Sequence, residues 1–365
     1  MTNFAYIIAA HRTAVIPKGG AFAPLAIHEL AAPIITSCLQ TADIPPDQIS
    51  ELILSNAVGA GGNPARLAAL AAGLPERIGG LSIDRQCTGG LDAIWLAAQM
   101  VTSGVHDVII AGGAESASRR PIRMHTTPNG QPIPSDRPDF TGLVGRDPDM
   151  VIAMAQLANQ MGISRQTQEN WAINSHAHAQ TADFKAEITA ICNQSRDAFT
   201  RKLSTKTCAR APVLSGTITS ATTAVDADAA AFVMVVNEHI AKSHPNAIRI
   251  ATGAMLGGVP DQPALAPLAA IQSVLDTSQT DAQNIKSVEI MEAYAAQAII
   301  AAQSQPFDPA TINKGGGALS RGHPIGASGA ILAVRLYHEL QQTGGPGLAA
   351  IAAAGGLGSA LLLQA

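Results

Sequence analysis

Short apolar runs alternate along the chain with longer segments in which apolar residues recur at the spacing of a helix. The runs are bounded by Gly, Asn or Pro, and this alternation is typical of α/β proteins. The predicted strands are 6–10, 51–55, 107–111, 230–236, 287–291 and 347–352. The predicted helices are 24–40, 64–72, 88–103, 149–161, 165–182, 267–278 and 327–341. Several strands are apolar through most of their length, so we expect a sheet that helices cover on both faces.

Two stretches of the chain share one layout. In the first half, residues 87–90 (Cys-Thr-Gly-Gly) open a helix that leads to a strand and a Gly-Gly pair. In the second half, residues 322–326 (Gly-His-Pro-Ile-Gly) open a helix that leads to a strand and a second Gly-Gly pair. A duplicated fold in which each half supplies one reactive residue explains this pattern. Chance also explains it, since glycine-rich helix starts are common in a glycine-rich protein.

The region from Arg119 to about Leu214 departs from this rhythm. It contains a proline-rich stretch at 128–138, two polar helices and a basic segment at 197–210 that is poor in strands. Such an insertion usually covers an active site or contacts a partner. A surface insertion that has no function explains this region equally well.

Composition narrows the function classes. The 365 residues are 47% hydrophobic and 14% charged, which favours a compact enzyme-like body over disorder. A net charge of −4 with no basic block gives no support for binding nucleic acid. No apolar run reaches the length of a membrane span, and the N-terminus lacks the layout of a secretory signal, so we expect a soluble protein.

The four cysteines lie far apart and form no C-x-x-C pair. This spacing argues against a disulfide framework or a zinc site, and we expect no metal and a reduced, cytoplasmic location. Cys87 is the strongest candidate nucleophile, because a following helix would direct amide groups and its positive dipole end at the sulfur and favour the thiolate. A buried inert cysteine is the alternative for Cys87, and for Cys38, Cys192 and Cys208 that or mere exposure is the favoured interpretation.

His323 is the second candidate. Residues 313–329 hold six glycines around this one imidazole. A helix interior does not favour so many glycines, so we expect turns that hold His323 where larger residues would clash. A neutral imidazole there could accept the proton of Cys87. A phosphate-binding loop is the rival interpretation, but the sequence has no G-K-[ST] motif.

Three motifs are similar to those of the thiolases. Residues 85–93 (Arg-Gln-Cys-Thr-Gly-Gly-Leu-Asp-Ala) resemble the motif around the nucleophilic cysteine, and residues 112–118 resemble G-G-x-E-S-M-S. Residues 313–329 are close to N-x-x-G-G-A-x-x-x-G-H-P-x-G-A-S-G. Weaker similarities extend to both ends of the chain, and the histidine motif is highly specific.

The resemblance implies an α/β fold with five layers (αβαβα) built from two similar halves and covered by a loop domain. The N-terminal half would comprise residues 1–118 and 215–242, the loop domain 119–214, and the C-terminal half 243–365. It also implies ping-pong acyl transfer from acyl-CoA, with acetyl-CoA as the first candidate. Cys87 would be acylated with His323 as base, and the backbone N–H groups of Cys87 and Ala354 would form the oxyanion hole. Thiolases have no tightly bound cofactor, use a coenzyme A thioester as substrate, and form homodimers or homotetramers.

The chain departs from the family at two positions that serve carbon–carbon chemistry. Condensing thiolases carry a second cysteine in C-x-G-G-G, and the alignment puts Ala352 at that position. The Asn of their N-E-A-F motif is Met291 here, and the next three residues are Glu292, Ala293 and Tyr294. A methyl group moves no proton, and a thioether replaces an amide poorly. Acylation should therefore survive and condensation should be suppressed.

The region expected to bind CoA differs as well. The family's His-Met-Gly is Asp149-Met150-Val151, and its Asn-Ala-Ser turn is Thr222-Thr223-Ala224. Residues predicted to contact acyl-CoA are Met150, Arg210, Met291, Ala293 and Tyr294. Arg201, Lys202, Lys206 and Arg210 could meet the CoA phosphates, or they could form an ordinary solvated face.

Three functions stay open on the sequence alone. The first is acyl transfer to CoA or another acceptor, and the second is ordinary β-ketothiolase activity in which water or Glu292 replaces the missing base. The third is a catalytically silent homologue that acts as the partner of an active enzyme. Met291 and Tyr294 are expected to line the acyl pocket, with plain core packing as the alternative.

Overall fold

The computed structural model describes residues 4–135 and 137–365. Residues 1–3 and Asp136 lie outside the described residues. The first three begin both the predicted N-terminal half and the segment expected to lack a secretory signal, and Asp136 belongs to the proline-rich stretch. The strands are β1 (Ala5–Arg12), β2 (Ile16–Pro17), β3 (Glu51–Ser55), β4 (Leu81–Ile83), β5 (Val108–Ser116), β6 (Arg123–Thr126), β7 (Pro132–Ser135), β8 (Val213–Ser215), β9 (Ile218–Thr219), β10 (Ala227–Asn237), β11 (Ile248–Gly257), β12 (Ser287–Ile290), β13 (Pro346–Ala353) and β14 (Leu357–Gln364). The helices are α1 (Ile27–Ala42), α2 (Pro64–Ala71), α3 (Gly89–Thr102), α4 (Met150–Gln160), α5 (Arg165–Thr181), α6 (Thr205–Ala209), α7 (Glu238–Ala241), α8 (Ala266–Ser278), α9 (Ala295–Ala302), α10 (Ala318–Arg321) and α11 (Ile325–Thr343).

Two mixed half-sheets join edge to edge. One half has the strand order β4-β3-β5-β10-β1, and the other has the order β11-β14-β13-β12. They meet where Ala5–Ile7 of β1 pairs antiparallel with Ile248–Ile250 of β11. The remaining strands form short hairpins, except β2, which extends the pairing of β10.

Helices cover the two half-sheets in five layers. Helices α1 and α2 pack on the outer face of the first half-sheet, and α8 and α9 pack on the outer face of the second. Helices α3 and α11 lie between the half-sheets, where Ile94 and Ile331 contribute to one shared core. Burial from both sides explains why most strands are continuous apolar runs. The predicted five-layer α/β fold is confirmed.

The duplicated layout is present in the topology. Strand β3 is parallel to β5 with α3 between them in the chain, and β12 is parallel to β13 with α11 between them. Parallel neighbours need such a crossover helix. The two crossover helices begin beside each other, so the residues that precede them come together at the centre of the molecule.

Glycine permits this close approach of α3 and α11. A Cβ at Gly90 would lie 2.6 Å from the amide N of Ala330, and a Cβ at Gly329 would lie 2.4 Å from the amide N of Leu91. The expectation that the glycines around His323 all form turns is therefore wrong in part. Gly326 and Gly329 are inside α11, because packing between the helices outweighs their low helix propensity.

The same explanation applies to the Gly112-Gly113 pair. The sequence places it after the strand, but β5 continues through it to Ser116. A Cβ at Gly112 would lie 2.0 Å from the carbonyl oxygen of Ala231, and a Cβ at Gly113 would lie 2.0 Å from that of Gly326.

In the part of the chain that the structure describes, no helix is long and apolar enough to cross a membrane.

Candidate active site

Cys87 sits in a tight turn at the entrance to α3. A single 3₁₀ turn, Gln86–Thr88, leads directly into the helix. Gln86 has a φ of 53°, a left-handed conformation that costs a non-glycine residue free energy. The carboxylate Oδ1 of Asp84 accepts the N–H of Gln86 at 2.9 Å and supports this conformation. The turn exposes the Cys87 side chain to a cavity between the two halves.

His323 reaches the same cavity from the other half. Gly322 before it has a φ of 114°, which only glycine adopts easily, and a Cβ there would lie 2.8 Å from the Cβ of Ala227. The backbone N–H of His323 donates to the carbonyl of Val225 at 2.8 Å. The histidine is thereby fixed just before α11 begins at Ile325.

The two side chains are in contact. Sγ of Cys87 lies 3.2 Å from Nε2 of His323, while Nδ1 of the same ring lies 2.7 Å from Oγ of Ser328. Ser328 donates its proton to the carbonyl of Pro324 at 3.0 Å, so it accepts from Nδ1–H. This hydrogen-bond network assigns the tautomer that leaves Nε2 free to accept the thiol proton.

Burial keeps this pair neutral at rest. It raises the pKa of the Cys87 thiol to about 12, and the nearby carboxylates of Glu115 and Asp84 act in the same direction. It also lowers the pKa of His323 to about 4. The amide groups at the helix entrance favour the charged sulfur, but desolvation outweighs them. A nucleophilic role for Cys87 would therefore require its proton to pass to His323.

Backbone amides converge on the sulfur. The backbone N–H groups of Cys87 itself and of Ala354 both act to lower the pKa of the thiol. Ala354 follows β13 and precedes Gly355 and Gly356, whose φ values of 78° and 77° turn the chain back into β14. An oxyanion formed at a carbonyl bound to Cys87 would lie near these two amides.

Glu115 fixes the loops around the pair. Its Oε2 accepts the N–H groups of Ala57 at 3.0 Å and Gly326 at 3.0 Å, and its Oε1 accepts from the Asn56 amide at 2.6 Å. This glutamate belongs to the thiolase-like motif at residues 112–118 and lies fully buried. It joins the first half to the start of α11, and so fixes the positions of Cys87 and His323 relative to each other.

The cavity has a volume of about 300 Å³ and is mostly apolar. Its walls come from both halves and from the insertion, which supplies Phe140, Met150 and Met154. The insertion therefore covers the site, one of the two interpretations that the sequence leaves open. The other lining residues are Gln86, Cys87, Thr223, Ala224, Asp226, Pro263, Ala264, Ala293, Tyr294, Gln297, His323, Ile325, Ala352, Ala353 and Ala354.

Most residues predicted at the site lie on this cavity. Met150, Ala293 and Tyr294 line it, as do Ala352 and Ala354 beside Cys87. Met291 does not: its side chain is 1% exposed and packs in the core shared by α3 and α11. The prediction that Met291 lines the acyl pocket is corrected to core packing, which suits an apolar thioether better than a polar site.

Glu292 cannot act as a substitute base. Its carboxylate accepts the Trp171 indole N–H at 2.9 Å, the Ser175 hydroxyl at 2.7 Å, the Asn313 amide at 2.9 Å and the Leu319 N–H at 3.2 Å. It is 1% exposed and lies outside the cavity lining. Its role is to tie α5 to the glycine-rich loop before His323, so the suggestion that it replaces a missing base is wrong.

Arg210 lies outside the cavity around Cys87. With Arg201 it lines a separate pocket of about 290 Å³, which also includes Thr207 and Ser220. Residues 220 and 221 border this pocket, and residues 223 and 224 border the cavity, so one short segment connects the two. Lys202 and Lys206 are exposed and line neither.

The other cysteines are remote from this chemistry. Cys38 and Cys208 are buried, Cys192 is exposed, and all four cysteines are free. Within residues 4–135 and 137–365, no group of three His, Cys, Asp or Glu side chains is arranged to hold a metal ion.

Sequence reasoning missed Asp226, Ser328 and Phe140. Ser328 belongs to the recognised Ala-Ser-Gly motif, and its place in the first turn of the helix that follows His323 could have indicated it. Asp226 and Phe140 reach the cavity through tertiary contacts, and no local pattern marks them.

Comparison with known proteins agrees with this geometry. The family model "Thiolase, N-terminal domain" matches residues 5–239, and "Thiolase, C-terminal domain" matches residues 244–365. A Bacillus subtilis protein named "Putative acetyl-CoA C-acetyltransferase YhfS" is 36% identical, over 99% of both chains. A Staphylococcus aureus protein named "Probable acetyl-CoA acyltransferase" is 32% identical, over 96% of both.

Solved structures give the same result. The crystal structure of the Bacillus anthracis acetyl-CoA acetyltransferase superposes with a TM-score of 0.91 at 28% identity, over 99% of this chain and 98% of that one. The Ascaris suum Acat5 thiolase, solved with coenzyme A, also gives 0.91, at 26% identity over 99% of both chains. With matches that span both halves, the chain belongs to the thiolase family and is an acyltransferase.

Proposed function

We propose that the chain transfers an acyl group from an acyl-CoA thioester to an acceptor through an acyl-enzyme on Cys87. The observation that supports this most is the 3.2 Å contact between Sγ of Cys87 and an imidazole nitrogen that is free to accept a proton. Acetyl-CoA is the donor we propose first, since the similar proteins are named for it.

The acylation step balances with these groups alone. Nε2 of His323 accepts the Cys87 proton while the sulfur attacks the thioester carbonyl. The tetrahedral oxyanion receives hydrogen bonds from the N–H groups of Cys87 and Ala354. When the intermediate collapses, the carbon–sulfur bond to CoA breaks, and the leaving thiolate takes the proton back from His323.

The donor is a diffusible substrate, and we propose no tightly bound cofactor. The acyl end would occupy the cavity lined by Met150, Ala293 and Tyr294, while the phosphate end of CoA would meet Arg210 and Arg201. The segment 220–224, which borders both pockets, supports this placement.

We propose that carbon–carbon condensation is weak in this enzyme. Condensation needs a base at the α-carbon, and Ala352 presents only a methyl group to the cavity. Glu292 is held by four donors elsewhere and cannot reach the cavity. General acid–base groups typically contribute about 10²–10⁴-fold in rate, so the loss of this base separates acylation from condensation. The acceptor is then CoA itself or another nucleophile.

We further propose a homo-oligomer in a reducing, cytoplasmic setting, as the family resemblance implies. The insertion exposes apolar side chains, with Ile122 95% and Val144 103% exposed in the single chain. A second copy would cover such residues in an assembly of this kind. The four free cysteines fit a reducing compartment.

Intact-protein mass spectrometry after brief incubation with acetyl-CoA tests the acyl-enzyme. We expect a mass gain of one acetyl group in the native chain and in Cys192→Ser, which removes the exposed cysteine. Cys87→Ser should show no gain. Absence of the adduct in the native chain, with acetyl-CoA and with longer acyl-CoAs, would favour a silent homologue that serves as the partner of an active enzyme.

A further inference from the structure

Asp226 lies beside His323 in the cavity. It forms a parallel β-bridge with His323 just before β10 begins, and its neighbour Val225 accepts the His323 N–H at 2.8 Å. Residues opposite each other in such a pair project to the same face of the sheet. Both side chains line the cavity that contains Sγ of Cys87.

Asp226 is the only Asp, Glu, Lys or Arg among the described residues that line this cavity. Its carboxylate is 51% exposed and lies 3.7 Å from Nη1 of Arg120, which is 48% exposed. A contact this long between two half-exposed groups is weak. Arg120 therefore offsets little of the carboxylate's negative charge, and this charge can still act on groups inside the cavity.

The charge acts on the imidazole and not on the sulfur. The charged groups that act on Cys87 are Glu115 and Asp84, and both oppose its ionisation. Among the residues that the structure describes, Asp226 is the charged group that acts on His323, and it favours the protonated ring. The other groups that face His323, the Cys87 thiol and the Ser328 hydroxyl, are neutral hydrogen-bond partners.

We propose that Asp226 is a positioning residue that stabilises the imidazolium of His323 each time the ring takes the proton of Cys87. The proton moves from Sγ to Nε2, and the resulting thiolate–imidazolium pair has the Asp226 carboxylate on its cationic side. The carboxylate is only half exposed, and the apolar walls of the cavity screen its charge less than water does. This inference rests on the proposed function in one respect, namely that the thiolate of Cys87 attacks an acyl-CoA; the effect of Asp226 on His323 does not depend on it.

Alkylation of Cys87 by iodoacetamide measures this without acyl-CoA. The reagent is neutral, so charge does not steer its approach, and peptide mass spectrometry separates Cys87 from the exposed Cys192. We expect Asp226→Asn to slow alkylation of Cys87 at pH 7 by about tenfold, the effect of one pKa unit. Asp226→Glu should recover part of the loss, and an unchanged thermal midpoint in both variants shows that the fold is intact.

Asp183→Asn is the matched control. It makes the same chemical change at an exposed carboxylate that does not line the cavity, so the rate of Cys87 alkylation should not change. The second control places Asp226→Asn in a His323→Asn background, where its effect should disappear. An equal loss in both backgrounds, or an Asp226→Asn rate equal to that of the native chain from pH 5 to 9, would overturn the proposal. If Asp226→Asn slows alkylation only when His323 is present, but the native chain gives no acetyl adduct, then this proposal stands and the proposed function alone is refuted.

Discussion

At the scale of one residue, the proposal that condensation is weak depends on Ala352. It lies near the end of β13, pairs with Gly358 of β14, and presents its methyl group to the cavity near Cys87. The thiol of a cysteine at this position would lie on the same wall as the Ala354 amide. Under the proposed function, this one side chain separates an enzyme that only forms an acyl-enzyme from one that also deprotonates an α-carbon.

Ala352→Cys should raise thiolysis of acetoacetyl-CoA by about a hundredfold, the low end of what a general acid–base group contributes. The formation of the acetyl adduct on Cys87 should not change, because the cysteine–histidine pair is intact. Steady-state thiolysis rates and the adduct mass measure the two effects separately.

Ala352→Ser is the control for size and polarity. A serine hydroxyl has nearly the same volume as a thiol but is far less acidic, so it should give no comparable gain. If Ala352→Cys gives no increase in thiolysis, the residue does not occupy the position of the base.

The candidate residues most accessible from the sequence are those with unusual local chemistry. Cys87 and His323 stand at glycine-rich helix entrances, which make them candidates, and their roles are predicted from the resemblance to the thiolases. Met291 shows the limit, because its position in a motif indicates a pocket while its side chain packs in the core. No sequence motif around Asp226 indicates a site residue. It reaches the site because it forms a β-bridge with His323 of the other half.

At the scale of elements, the crossing of α3 and α11 sets the distance between the two reactive residues. Cys87 precedes one helix and His323 the other, so the depth of the crossing controls the contact between sulfur and nitrogen. Gly90 and Gly329 face the opposite helix at distances that leave no room for a side chain.

Gly329→Ala should destabilise the protein by about 1–3 kcal/mol, the usual cost of overpacking. On an isolated helix the same change would stabilise by about 1 kcal/mol, so the sign alone identifies the packing effect. We also expect slower acetylation of Cys87, because the clash lies with Leu91, four residues beyond it. Denaturant unfolding and adduct formation over time measure both.

Gly142→Ala is the matched control, since a Cβ there would meet no atom within 4 Å. It should leave stability and acetylation unchanged. A Gly329→Ala variant as stable as the native chain would show that the helices can move apart without cost.

Pattern alone predicts the elements that have a clear period or a uniform apolar run. The predicted helix at 88–103 agrees with α3 within one residue at each end, and the predicted strand at 51–55 agrees with β3 in full. Helix α9 has no counterpart among the predictions, because all eight of its residues are buried and no periodicity remains. Strand β11 has none because Gly253 interrupts it, and that glycine is explained only by the Trp95 ring packed against it.

At the scale of the whole molecule, buried ion pairs connect the insertion to both halves. Glu187 of the insertion contacts Arg12 of β1 at 2.6 Å and Arg335 of α11 at 2.6 Å. Asp197 adds a second contact to Arg12 at 2.7 Å, and the guanidinium groups of Arg12 and Arg335 lie 5.2 and 4.8 Å from the centroid of the Phe184 ring. These residues fix the cover of the active site to the strand and helix that support it.

Glu187 should make the protein unstable in acid. Burial acts to raise the pKa of its carboxyl, but Arg335 and Arg12 outweigh burial and hold it at about 2, below the ordinary 4.5. A pKa lowered in the folded state stabilises the protein above the ordinary value, and this stabilisation is lost as pH falls from about 4.5 towards 2. Glu289, whose pKa burial raises, acts in the opposite direction and at higher pH.

Glu187→Gln should lower the free energy of unfolding at pH 7 by about 3–5 kcal/mol, because two buried guanidinium groups lose their shared counter-charge. The loss of stability between pH 4.5 and 2 should be smaller in the variant than in the native chain, since its largest titrating contribution is gone. Denaturant unfolding across this pH range measures both. Asp183→Asn, in an exposed pair with Lys185 at 3.8 Å, should change neither. Parallel pH curves for Glu187→Gln and the native chain would show that acid unfolding starts at other carboxylates, and that the insertion is held to the two halves mainly by its apolar contacts.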